Sequence, residues 1–108
     1  MNPSKMQEML EQARNMQDQV QEKLRQTVVE ATAGGGAVTV KMNGQKQILQ
    51  LKIDAAAMAS LSSSPSDVEM LEDLITAAIN EAGRRADDAM KSNLTGMLGG
   101  LNLPPGLL

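Results

Sequence analysis

Apolar residues recur along the start of the chain at Met6, Met9, Leu10, Ala13, Met16, Val20 and Leu24, with Gln, Glu, Asp, Lys and Arg filling most positions between them. Steps of three and four draw one stripe along a helix. Asn2 before Pro3 has the pattern of a cap residue followed by a first-turn proline. The spacing predicts a helix from about Pro3 to Arg25, roughly 35 Å long at ~1.5 Å per residue. So small a chain cannot cover a helix of that length with its own sheet, so part of the stripe is expected to meet a partner.

The period then changes. Thr27-Val28-Val29-Glu30-Ala31-Thr32 is rich in β-branched residues and predicts a strand. Gly34-Gly35-Gly36 interrupts it, read as a plain hairpin loop because no Lys-Ser/Thr follows as in a phosphate-binding loop. Ala37 to Met42 alternates, Asn43-Gly44 is a strong hairpin signal, and Lys46 to Ile53 alternates again. A two-residue Asn-Gly turn pairs Met42 with Gln45, Val40 with Gln47 and Val38 with Leu49. Val38, Val40, Leu49, Leu51 and Ile53 then share one face, and Lys41 stands opposite Lys46 on the other. Ala55 to Ser60 is expected as a short helical turn. Ser64-Pro65-Ser66-Asp67 reads as cap, first-turn proline and capping-box acid. Val68, Leu71, Leu74, Ile75, Ala78, Ile79, Ala82, Ala86 and Ala89 continue at helical spacing. The fold class expected is α+β, ordered α-β-β-β-α. A three-stranded antiparallel meander is flanked by two long helices in a single domain, 1–95, followed by an uncharged Gly/Leu/Pro-rich flexible tail, 96–108.

Composition narrows the chemistry. The 108 residues include nine Met but no Phe, Tyr, Trp, Cys or His. An aliphatic core this thin is expected to be completed by a second copy of the chain. Without Cys or His there is no thiol nucleophile, no imidazole base and no usual zinc or iron ligand. No enzyme, cofactor or metal site is expected. The Met stripe reads as core or interface, and the carboxylates Glu69, Glu72 and Asp73 as a solvated helix face. Missing aromatics argue against base-stacking recognition of single strands. No leader-like or membrane-spanning stretch is seen, and a cytoplasmic location with no membrane partner is expected.

Several stretches resemble a known family. They are Gly34-Gly35-Gly36-Ala37-Val38-Thr39-Val40-Lys41-Met42-Asn43-Gly44, Glu69-Met70-Leu71-Glu72-Asp73-Leu74-Ile75 with Ala77-Ala78-Ile79-Asn80-Glu81-Ala82, and the late Leu94-Thr95-Gly96 and Leu103-Pro104-Pro105-Gly106. Together with the Met- and Gln-rich first helix, they are similar in order and spacing to the YbaB/EbfC family of nucleoid-associated proteins. That resemblance implies a non-enzymatic homodimer with long protruding helices, located at the nucleoid, with double-stranded DNA as partner and no small-molecule substrate.

Net charge is −3, so the distribution of charge carries more than its sum. In the first helix Lys5, Arg14, Lys23 and Arg25 balance Glu8, Glu11, Asp18 and Glu22, with Asp18 near both Arg14 and Lys23. The middle carries Lys41, Lys46 and Lys52 against Glu30. The last part sets Arg84, Arg85 and Lys91 against Asp54, Asp67, Glu69, Glu72, Asp73, Glu81, Asp87 and Asp88. All ten cations are candidate phosphate contacts. The helical arms are favoured over the sheet, although an opposed Lys41–Lys46 pair would attract an anion. The bland alternatives are ion pairing on helix surfaces, edge lysines that block aggregation and helix-dipole complementation. The acidic second helix and the apolar tail support a competing function, a protein-interaction or assembly factor.

Overall fold

The computed structural model describes residues 3–99, with side chains described as far as Gly96. Helix α1 spans Pro3–Gln26, strands β1, β2 and β3 span Val28–Ala33, Val38–Asn43 and Ile48–Ile53, and helices α2 and α3 span Ala55–Ala59 and Pro65–Gly99. The strands form one antiparallel sheet in the order β1-β2-β3. Helix α3 runs on to Gly99, into the stretch expected as a tail, because adding residues to an established helix needs no new nucleus. The rest of that stretch, and the Asn2 cap, lie outside the described residues.

The core is small. Ala31, Val38, Val40 and Met42 of the sheet are buried against Ala78, Ala82 and Ala86 of α3. The small size of these alanines lets α3 lie flat on the sheet. Helix α3 packs over β1 and β2 and stops short of β3. Burial therefore falls across the sheet: Val40 is fully buried, but Leu51, its partner on β3, is 39 % exposed. Gly34, Gly35 and Gly36 all have positive φ, as the turn from β1 to β2 requires.

The second hairpin differs from the expected register. Asn43 and Gly44 do not take positive φ; Lys46 does, at 65°. Lys46 N–H donates to Asn43 O and Asn43 N–H to Gln47 O, which closes a three-residue loop instead of a two-residue turn. A bulge follows between Lys41 and Met42, leaving Met42 opposite Ile48, Lys41 opposite Gln50 and Val40 opposite Leu51. The longer loop changes the phase of the strand and the bulge restores it. Leu51 and Ile53 thus stay on the core face as expected, whereas Ile48 replaces Leu49 there. Lys41 and Lys46 are not opposed.

Buried Asn43 organises this loop. Its Oδ1 accepts from the N–H groups of Gln45 and Gln47, both at 3.0 Å, and its Nδ2 donates to Gln47 Oε1 at 2.8 Å. At the start of α3, Asp67 N–H donates to Ser64 Oγ, the expected cap. The Asp67 carboxylate, however, accepts from the N–H and Oγ of Ser62. Those bonds, chiefly the one from the Ser62 hydroxyl, hold its pKa below the ordinary value.

Candidate nucleic-acid interface

The candidate residues divide among three surfaces. The first is α1, in which no residue is buried and only Val20 and Leu24 are half-buried. The helix projects because its polar face finds nothing to pack against and its apolar stripe outruns the sheet. Met6, Met9, Leu10 and Met16 are all more than half exposed. Lys5, Arg14, Lys23 and Arg25 stand on this arm.

The second surface is the sheet face turned away from α3. Cross-strand pairing places Glu30 and Thr32 of β1, Thr39 and Lys41 of β2, and Gln50 and Lys52 of β3 on it. Lys41 and Lys52 are diagonal neighbours, close enough to act on one stretch of phosphates. A polar depression of about 150 Å³ lies beside Lys52, lined also by Gly36, Thr39 and Asp54. Lys46 belongs to the hairpin loop and not to this face. The third surface is α3, where Arg84 and Arg85 precede Ala86, the last of its described residues to be buried, and Lys91 follows it.

Ion pairing then sorts the cations. Lys46 Nζ lies 3.0 Å from Asp87 Oδ2. Arg84 donates twice to Glu81 Oε2, at 2.9 and 2.6 Å. Arg85 donates to Glu81 Oε1 at 3.4 Å and to the Glu30 carbonyl on edge strand β1 at 2.7 Å. Hydrogen bonding to Arg84 is the main reason the Glu81 carboxyl titrates below its ordinary range. Arg25 pairs with Glu22, which also accepts from Gln26 Nε2 at 2.9 Å. Asp18, expected near Arg14 and Lys23, pairs with neither. Among the described residues Arg14, Lys23, Lys41, Lys52 and Lys91 have no carboxylate within ion-pair reach. A cation already matched by a carboxylate gains little from a phosphate; an unmatched one gains the full charge-assisted bond.

The base of α1 holds residues that the sequence pattern did not single out. Gly44 N–H donates to Leu24 O at 2.8 Å and to Thr27 O at 3.0 Å. Gln45 Nε2 donates to Gln21 Oε1 at 2.8 Å. Asn93 Nδ2 donates to Thr27 Oγ1 at 3.3 Å. An apolar cleft of about 260 Å³ opens beside them, lined by Val20, Lys23, Leu24, Met90, Asn93 and Leu94. Asn43-Gly44 announced a turn, but nothing local in the sequence said that the turn would reach the first helix. Among the described residues no group of acids could hold a metal ion, and no helix is long and apolar enough to cross a membrane.

Comparison with known proteins agrees with this architecture. A model of the YbaB/EbfC DNA-binding family matches residues 1–101. The chain is 70 % identical over 107 residues to a nucleoid-associated protein of Acidobacterium capsulatum, covering 99 % of each. It is 58 % identical to one of Koribacter versatilis, covering 90 % of this chain and 91 % of the relative. Among solved structures, an uncharacterized protein of Helicobacter pylori shares the fold at a TM-score of 0.66 and 23 % identity, over 91 % of this chain and 98 % of that one.

Proposed function

The chain belongs to the YbaB/EbfC DNA-binding family, and on that premise we propose that it binds duplex DNA as a homodimer, without catalysis, through backbone phosphates. The observation that carries this reading is the sorting of its cations. Arg14 and Lys23 on α1 and Lys91 on the outer part of α3 are left without carboxylate partners on the two longest helices. Two copies double these unmatched cations together with the net charge of −3 per chain, so binding relies on the local field of the cations at close range. Curated relatives are named nucleoid-associated proteins, which supports a cytoplasmic location at the nucleoid and a role in its organisation or in gene regulation.

The second copy has a surface to meet. Ile48, Leu49 and Leu51 of β3 are 47, 52 and 39 % exposed where α3 stops short. The two outer edges of the sheet are not equivalent. Arg85 holds a carbonyl of β1, whereas β3 presents an apolar strand with Lys52 as its only charge. A long apolar edge left open invites pairing with another chain. We therefore place the dimer contact at β3 rather than β1, with the Met stripe of α1 free to add to it.

Fluorescence anisotropy on a duplex, titrated with salt, tests the DNA reading. Log K should fall with log salt at about −0.9 per phosphate contact. Arg14→Gln, Lys23→Gln and Lys91→Gln together should flatten that slope and leave the melting temperature nearly unchanged. If they bind normally and a Lys41→Gln, Lys52→Gln pair does not, the open sheet face is the DNA surface. If neither set matters, a protein partner meeting the acidic α3 becomes the better account.

A further inference from the structure

Helix α1 is a lever on a small base. Twenty-four residues long, it buries no side chain, and its polar contacts with the sheet come from one loop. That loop holds it at two points one turn apart. Gly44 N–H donates to two carbonyls, that of Leu24 in the last turn of α1 and that of Thr27 at the α1–β1 junction. Gln45 reaches Gln21 one turn earlier. The next residue, Lys46, is tied to Asp87 of α3, and Asn43 braces the loop from inside through its own three hydrogen bonds. The hairpin segment 43–47 thus contacts both long helices. A side chain at Gly44 has no room there unless the helix backbone moves. A Cβ on it would lie 2.8 Å from the Leu24 carbonyl oxygen and 3.1 Å from Leu24 Cα, both of them backbone atoms.

We propose that the 43–47 loop is a latch that sets the direction of the α1 arm, with Gly44 as its pivot and Gln45 as its stay, so that both govern DNA affinity without touching DNA. This rests on the DNA-binding reading above. The magnitude follows from the lever. A swing of ~10° about Leu24 displaces Arg14 by ~3 Å and the far end of the helix by ~5 Å, at ~1.5 Å per residue. The first is enough to break a charge-assisted hydrogen bond, and the second exceeds the ~3.4 Å axial spacing of phosphates on one strand. Lys46, a candidate DNA contact by sequence, becomes part of the latch through Asp87. The sign of an Asp87→Asn substitution separates the two roles. Direct electrostatics makes that variant bind DNA more tightly, because it removes a negative charge; a loosened latch makes it bind more weakly.

The chain has no cysteine, so Gln7→Cys and Thr32→Cys accept a spin-label pair without competition. Labelled full-length chain is diluted into unlabelled chain, and pulsed dipolar spectroscopy reads the arm-to-sheet distance. The expected result is a narrow distribution that Gly44→Ala shifts or broadens by ~4 Å or more, with duplex affinity down about tenfold as one or two phosphate contacts go out of reach. Gln45→Ala adds no bulk and threatens folding far less; it should move both readouts the same way by a smaller amount. Unchanged distances in folded Gly44→Ala and Gln45→Ala overturn the latch. Weaker binding with an unmoved arm also overturns it and makes the loop a direct DNA contact. A displaced arm with unchanged affinity overturns the functional half. If the unsubstituted chain fails to bind duplex DNA, the DNA reading falls while the distances still judge the latch.

Discussion

Truncating Leu51 to Ala tests where the core ends and the partner begins. Leu51 sits opposite Val40 on the core face, yet 39 % of it remains exposed because α3 does not reach β3. A fully buried Leu→Ala change costs about 2–5 kcal/mol. With about three-fifths of the side chain covered, the single chain loses about 1–3 kcal/mol, or roughly 5–20 °C in melting temperature for a domain of this size. A second copy seated on β3 raises the loss toward the full value and makes it depend on protein concentration by mass action. Val40→Ala is the internal control. Val40 is fully buried within its own chain, so its loss of about 2–3 kcal/mol, transfer plus cavity, belongs to the protomer fold. Urea unfolding at protein concentrations two decades apart, for both variants, gives the answer. A Leu51→Ala loss below roughly 0.5 kcal/mol refutes the register. A loss that tracks concentration no more steeply than that of Val40→Ala refutes a dimer contact at β3.

Acid unfolding should depend on Asp67. Its pKa is lowered in the folded chain by the Ser62 hydrogen bonds, so its contribution to stability is complete above the ordinary carboxylate pKa and is lost as pH falls through the lower folded value. Asp67→Asn should remove that part of the acid limb of a thermal-melt series, and an unchanged limb would contradict the assignment. Ala82→Leu should destabilise by about 3 kcal/mol or more in chemical denaturation, because Ala82 is fully buried where α3 lies on the sheet; a neutral result would mean that α3 stands off the strands.

Much of this molecule is local, and local order is legible. Helix α1, the three strands, the glycine turn, the short α2 and the start of α3 at Ser64-Pro65 all follow from period, turn residues and caps, which act between residues a few positions apart. The absent Cys, His and aromatic residues likewise narrowed the chemistry before any fold was known. What escaped depends on atoms distant in sequence. Asn43-Gly44 was rightly a turn, but its length was decided by Gly44 docking on Leu24 and Thr27, a contact that rewards a three-residue loop over the locally favoured two-residue turn. The bulge then restores the alternation, so Leu51 and Ile53 keep the core face while Ile48 takes the place of Leu49. Which cations remain free was only partly a local matter: Arg25–Glu22, Arg84–Glu81 and Arg85–Glu81 lie one helical turn apart, but the fate of Lys46 was tertiary. Lys46 and Asp87 are far apart in the chain and become partners only because the hairpin loop reaches α3. The direction of the first helix is decided the same way, since periodicity specifies that a helix has an apolar stripe but not the angle at which its last turn is held.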